Sequence, residues 1–156
     1  MYKRILVPLD GSETANKALL TALQLARDSE GRVRMVHVIE ELAYISGYEQ
    51  FGAYPEDLLG AMKEAGKKVL QDAMTLSQTA GVDADSKLFD SVSGRLAEVV
   101  ATAAKEWNAD LIVVGTHGRR GVGRMLLGSG AEQIIRLAPV PVLVIRSSAD
   151  SGAELP

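Results

Sequence analysis

Five short apolar runs alternate along the chain with longer stretches in which apolar residues recur at helical spacing. Lys3–Leu9 (KRILVPL) predicts a first strand, and the Asp10-Gly11-Ser12 that follows is turn and helix N-cap chemistry. Ala15, Ala18, Leu19, Ala22, Leu25 and Ala26 then share one face of a helix, with Gly31 as its stop. Val33–Ile39 (VRMVHVI) predicts the second strand. Glu40–Pro55 breaks the pattern: Tyr44, Tyr48, Phe51 and Tyr54 make it either a cover over something or a loop packed on the next helix. Glu56–Ala80 is a long helix with Leu59, Met62, Gly66, Val69, Ala73 and Leu76 on one face, Lys63, Glu64, Lys67 and Lys68 mostly on the others, and Gly81 as its end. Asp83–Phe89 alternates weakly as a third strand, and Ser93 is placed to cap a helix bearing Leu96, Val99, Val100, Ala103 and Trp107. Asp110–Val114 is the fourth strand, Ala131–Leu137 a short helix and Val140–Arg146 the fifth strand. Residues 147–156 form a polar tail expected to be disordered.

Strands that alternate with helices imply βαβ units, parallel pairing and right-handed crossovers. The expected fold class is therefore α/β, an open doubly wound five-stranded parallel sheet of order 3-2-1-4-5 with helices on both faces, formed by residues 1–146 as one domain. In that order strands 1 and 4 are neighbours at the switch point, where ligands bind beyond the carboxyl ends of the strands. Asp10 and Gly115 would face one crevice.

Composition narrows the function. A chain of 156 residues with 47% apolar and 24% charged residues suits one compact core. Its net charge of −3 argues against a general nucleic-acid binder, so any positive site must be local. No apolar segment approaches bilayer length and the start carries no signal-peptide core, so the expectation is a soluble, cytoplasmic protein. The absence of cysteine excludes disulfides and thiolate chemistry and leaves His37 and His117 as the only imidazoles.

The stretch GTHGRRGVGRMLLGSG, residues 115–130, concentrates glycine and arginine between a strand and a helix, which points to an anion. It is not the dinucleotide fingerprint, because Leu126 stands where the third glycine belongs and the motif should open the first βαβ unit. Nor is it a P-loop: Gly123 and Gly128 have the right separation, but Ser129 replaces the lysine. What fits is Gly115-x2-Gly118-x9-Gly128-Ser129. With that motif, the opening ILVPLDGS, the second-strand VHV, the block DLIVVGTHG and the final PVPVLVIR, the chain resembles the ATP-binding branch of the universal stress protein family over residues 2–146.

The resemblance implies a Rossmann-like fold of the adenine nucleotide alpha hydrolase type, bound ATP, ADP or AMP with Mg²⁺, and a homodimer paired through the edge strand 141–146. It places Pro8, Asp10 and Val38 at the nucleotide from strands 1 and 2, with Asp10 at the ribose or the Mg²⁺ and the Val38 backbone at the adenine edge. From the fourth strand onward it adds Gly115, Thr116, His117, Gly118 and Arg119, and from the start of the next helix Gly128, Ser129 and Gly130. Each has a plainer reading. Ser129 at the helix N-cap satisfies backbone donors whether or not a phosphate is there, and the two roles are compatible. Gly118 and Gly128 suit turns, and Asp10 suits an Asx-turn before Gly11 and Ser12. His117 touches phosphate or only backbone, His37 packs within its strand, and Arg119, Arg120 and Arg124 neutralise phosphate or stay solvated. Pro139 and Pro141 protect the last strand's edge if no partner pairs with it.

Energetics favour holding ATP over consuming it. Micromolar affinity needs about 8 kcal/mol, which a few charge-assisted hydrogen bonds of roughly 1.5–3 kcal/mol each and base burial supply after association costs. Phosphoryl transfer further needs a positioned water and a cation at the developing charge. No convincing base is visible, so turnover is expected to be slow or absent. The alternatives are a slow ATPase and a nucleotide-independent protein-interaction module of the same fold.

Overall fold

The computed structural model describes residues 1–40, 58–90, 95–116 and 127–146. Among them β1 (Arg4–Pro8), α1 (Glu13–Ser29), β2 (Arg32–Val38), α2 (Leu58–Ala80), β3 (Asp83–Phe89), α3 (Leu96–Trp107), β4 (Leu111–Gly115), α4 (Ser129–Leu137) and β5 (Val142–Ile145) follow in order. Every pairing is parallel and the strand order is β3-β2-β1-β4-β5, as the alternation of elements required.

The period of two along the strands divides the core. Ile5, Val7, Val33, Met35, Leu111 and Val113 point to one face and pack under α1 and α2, through Ala18, Leu19, Ala22, Leu70 and Ala73. Leu6, Val36, Ile112 and Val114 point to the other, under α3 and α4, with Val100, Ala104, Trp107, Ala131 and Ile134. Because β1 and β4 are covered on both faces they are continuous apolar runs, which is why their sequences were unambiguous. β3 is an edge strand, and its exposed Asp83, Ser86 and Lys87 account for its weak pattern.

Three helices end in the same way, with one residue in the left-handed region and two backbone bonds closing the last turn. At α2 that residue is Gly81, φ +70°, as expected. At α3 it is Asn108, φ 57°, and Ala109 N–H donates to Ala104 O at 2.8 Å. At α1 it is Glu30, φ 54°, and not Gly31, whose N–H donates to Ala26 O at 2.7 Å. Gly31 is required for a different reason: a Cβ there would stand 2.8 Å from the carbonyl oxygen of Lys3. Since a side chain in the left-handed region costs roughly 1 kcal/mol, Glu30→Gly is expected to raise stability by about 0.5–1 kcal/mol in urea denaturation. A neutral or destabilising result would mean that the Glu30 backbone is not strained.

Other boundaries shift as well. The buried line of α2 is Gly66, Leu70, Ala73 and Ser77, while Leu76 is 38% exposed, so the helix is rotated slightly from the face read in the sequence. The N-cap of α3 is Arg95, and Ser93, expected there, lies outside the described residues. Acidic side chains serve that terminus: Glu98 accepts from Arg95 N–H at 3.4 Å and Glu40 from Leu96 N–H at 3.3 Å.

The amino ends of the strands carry a charged clamp. The carboxylate of Asp110 accepts from the N–H groups of Lys3 and Arg4 at 2.8 and 3.0 Å, joining β1 to β4. Arg4 Nε donates to the carbonyl of Trp107 at 2.8 Å, and the guanidinium carbons of Arg4 and Arg34 lie 4.5 and 4.9 Å from the centroid of its ring. Arg34 in turn grips Asp85 with two bonds of 2.7 and 2.8 Å, which hold the Asp85 carboxyl below its ordinary pKa.

Candidate functional site

The carboxyl ends of β1, β2 and β4 lie together at the switch point of the sheet, and each is shaped by local chemistry. Beyond Pro8 the backbone leaves the sheet after one further bond, Leu9 N–H to Val36 O at 2.8 Å. Asp10 Oδ1 accepts from Ser12 N–H at 2.9 Å, an Asx-turn that Gly11 completes at φ +86°, a conformation natural only to glycine. Ser12 then caps α1, its Oγ accepting from Ala15 N–H at 3.2 Å. The plainer reading of Asp10 is thus realised. It is also compatible with a ligand role, because a carboxylate has two oxygens and several lone pairs.

On the neighbouring strand, Gly115 abuts the first turn of α1. A Cβ on it would meet the Thr14 carbonyl carbon at 2.7 Å and the Thr14 Cβ and Oγ1 at 2.8 Å. Close helix packing accounts for this glycine. Thr116 follows, buried, with its N–H on Ile145 O at 2.9 Å and its carbonyl accepting from Gly128 N–H at 2.6 Å. That last bond spans the glycine loop and ties the start of α4 to the end of β4.

The start of α4 differs from the sequence expectation. The helix begins at Ser129, not Ala131, and its N-cap is Gly128, φ −61° and ψ 151°. Ser129 is the first helical residue, it is exposed, and among the described residues no side chain caps the helix. The two helices that start at the switch point differ in their N-caps. The N-terminal donors of α1 are served by Asp10 and Ser12, with Glu13 in its first turn. In α4 the acidic residue of the first turn is Glu132, no side-chain cap is found among the described residues, and the exposed Ser129 stands with the first-turn amides at the carboxyl end of β4. At Gly130 a Cβ would meet, among the described residues, only Leu96 Cδ2, at 3.4 Å.

Val38 supplies the third wall. Arg32 N–H donates to Lys3 O and Val36 O accepts from Leu9 N–H, so the even-numbered residues of β2 turn their backbone groups toward β1. Val38 is next in that series, where β1 has already ended: the last paired register is Pro8 with Val36. Its backbone groups therefore face the crevice. His37, one residue earlier, is half-buried, and its Nδ1 lies 2.7 Å from Leu9 O. Since a carbonyl only accepts, Nδ1 carries the proton. Gly66 of α2 lies so close over this ring that a Cβ would stand 2.7 Å from His37 Cδ2. The packed role expected of His37 is realised.

Among the expected site residues, Pro8, Asp10, Val38, Gly115, Thr116, Gly128, Ser129 and Gly130 are brought to this one end of the sheet. His117, Gly118 and Arg119, with Arg120 and Arg124, lie outside the described residues, as do Tyr44, Tyr48, Phe51 and Tyr54. Sequence reasoning missed Thr14, the close neighbour of Gly115, and Glu40 and Leu96, which join the end of β2 to the start of α3. Neither contact left a local signal in the sequence: Glu40 and Leu96 are 56 positions apart, and the contact of Thr14 crosses the whole fold. Among the described residues no three His, Asp or Glu side chains gather into a metal-holding group, and no helix is long and apolar enough to cross a membrane.

Comparison with known proteins agrees with this geometry. The model of the universal stress protein family matches residues 1–146. A universal stress protein of Thermus aquaticus is 36% identical over 146 residues, which cover 94% of this chain and 100% of the relative. The crystal structure of a family protein from Burkholderia pseudomallei superposes with a TM-score of 0.73 at 36% identity, covering 94% of this chain and 97% of that one. A universal stress protein solved in complex with cAMP has a TM-score of 0.66 at 25% identity, with 92% and 97% of the two chains covered.

Proposed function

Because the chain belongs to the universal stress protein family, its model matching residues 1–146, we propose that the crevice between β1, β2, β4 and the start of α4 holds an adenine nucleotide. The observation that carries this is that the carboxyl ends of β1 and β4 and the Val38 backbone at the end of β2 meet the Gly128–Gly130 start of α4 at one switch point. The phosphates lie at the α4 amides and Ser129, the adenine edge meets the Val38 backbone, and Asp10 faces the ribose or a Mg²⁺ carried by the phosphates. A carboxylate suits so hard a cation, which commonly keeps one or two protein ligands and takes the rest from water and phosphate. The relative solved with cAMP supports the adenine part of the reading.

The protein binds ATP, with ADP or AMP as related occupants, and turns it over slowly or not at all, acting as a cytoplasmic stress-response or signalling component. It works as a homodimer. The open edge of β5, with Leu143 37% exposed, supports that pairing.

Isothermal titration with ATP and Mg²⁺ is expected to give micromolar binding. Ser129→Ala is expected to weaken it about tenfold, the worth of one charge-assisted hydrogen bond, and to move stability by less than about 0.5 kcal/mol. Absence of any binding by the parent chain would reject the nucleotide reading. Undiminished binding by Ser129→Ala would reject the role given to its hydroxyl.

A further inference from the structure

We propose that Leu96, tethered by Glu40, is the positioning residue that sets the distance between the adenine end and the phosphate end of the site, so that the site selects ligands carrying both groups over either alone. The inference rests on the nucleotide reading above and adds what fixes its span.

Leu96 stands between the two ends. It is the first residue of α3, and its N–H donates to Glu40 Oε1 at 3.3 Å, two residues beyond Val38. The first-turn donors of a helix have no partner within it, so this bond holds the α3 start to the carboxyl end of β2. On the other side, Leu96 Cδ2 is the heavy atom nearest to a Cβ built on Gly130, at 3.4 Å, one residue from Ser129. Its side chain belongs to the apolar cluster that also contains Val38 and Phe89 from the adenine end and Ala131 and Ile134 from the phosphate end.

The bond from Gly128 N–H to Thr116 O ties the α4 start to β4, and Ala131 and Ile134 hold the helix in the core cluster. Leu96 is the side chain packed against its first turn, and its length sets how far that turn stands from the end of β2. Shortening residue 96, or releasing it by removing the Glu40 carboxylate, lets the α4 amides move relative to Val38. A ligand that spans both ends feels that movement, because its second contact forms at an effective concentration set by geometry. Adenosine alone or a polyphosphate alone does not.

The test titrates ATP, adenosine and tripolyphosphate, followed by chemical-shift perturbation, into the parent chain and into Leu96→Ala, Leu96→Met, Glu40→Ala and Glu40→Gln. Leu96→Ala and Glu40→Ala are expected to weaken ATP about five- to tenfold while adenosine and tripolyphosphate change less than about twofold. Leu96→Met keeps the volume and Glu40→Gln keeps an acceptor oxygen, so both are expected to restore ATP binding to within about twofold. Equal losses for all three ligands would mean general loosening of the fold and would overturn the proposal, as would unchanged ATP binding. A parent chain that binds none of the three removes the nucleotide reading itself and the spacer with it.

Discussion

Trp107→Ala is expected to lower stability by about 3–5 kcal/mol, the range for truncating a large buried aromatic, and to lower the melting temperature by about 2–4 °C for each of those. The ring is 6% exposed and sits in the cluster under α3 and α4, so its removal leaves a cavity against Leu6, Val36 and Ile112. It also strips the aromatic face from Arg4 and Arg34, whose charges lie 4.5 and 4.9 Å from its centroid. The guanidiniums keep other partners, the Trp107 carbonyl for Arg4 and Asp85 for Arg34, so the loss is one of packing more than of buried charge. Circular dichroism is the measurement to use, because this is the only tryptophan in the chain and its fluorescence goes with it. Acid acts on the same corner. Asp85 has its carboxyl pKa lowered by the Arg34 hydrogen bonds, so its stabilisation is full above the ordinary value of 3.8 and is lost as pH falls through the lowered one. Asp85 is more than a third exposed, and solvent keeps that part small. A loss under about 1 kcal/mol for Trp107→Ala would show that the site collapses around the missing ring.

The order of elements was legible because its signals are local and repeated. Ile5, Leu6 and Val7 are all buried, and such a run between Lys3 and an Asp-Gly-Ser turn has few readings other than a central parallel strand. Once five strands alternated with helices, right-handed crossovers left the switch point between β1 and β4 as the place for a ligand. Helix ends were legible only in part. Gly81 stands where the left-handed residue is needed, but Glu30 and Asn108 do the same work without being glycine, and the real constraint on Gly31 is the Lys3 carbonyl across the fold. A contact between residues so far apart in sequence leaves no periodic trace.

The same distinction governs the site. The Asp10-Gly11-Ser12 turn was readable because a carboxylate, a glycine and a hydroxyl in that order have a specific local geometry. The displacement of the α4 start by two residues was not readable, since Gly128, Ser129 and Gly130 are all acceptable at an N-cap or beside one. What decided it is the bond from Gly128 to Thr116, a tertiary contact.

Gly115→Ala is expected to cost about 2–3 kcal/mol of stability and, in the same protein, most of the nucleotide affinity, because one glycine carries both. The added methyl would meet the Thr14 carbonyl carbon at 2.7 Å. That atom is backbone in the first turn of a helix and cannot rotate aside as a side-chain tip can, so either α1 shifts or the end of β4 does. A shift of α1 carries Ser12 and the Asp10 turn with it, and a shift of β4 carries Thr116, whose carbonyl holds Gly128. Both movements disturb the crevice, from opposite walls. Thr14→Ala added to Gly115→Ala removes the contact with Oγ1 but leaves the one with the carbonyl carbon, so it should recover less than half of the loss. Gly130→Ala is the stability control: among the described residues its methyl meets only the Leu96 tip, at 3.4 Å, and alanine is the better helix former, so stability should hold or rise by up to about 1 kcal/mol. Urea denaturation of the three variants beside ATP titration separates the explanations. If Gly115 served only to admit a phosphate, its alanine variant would bind poorly and fold as well as the parent. If it served only packing, its alanine variant would bind ATP as the parent does, and saturating ATP would stabilise it by as much as it stabilises the parent. Because the packing contact of Gly115 lies between both walls of the proposed crevice, the expected variant is destabilised, binds weakly and is stabilised by ATP less than the parent is.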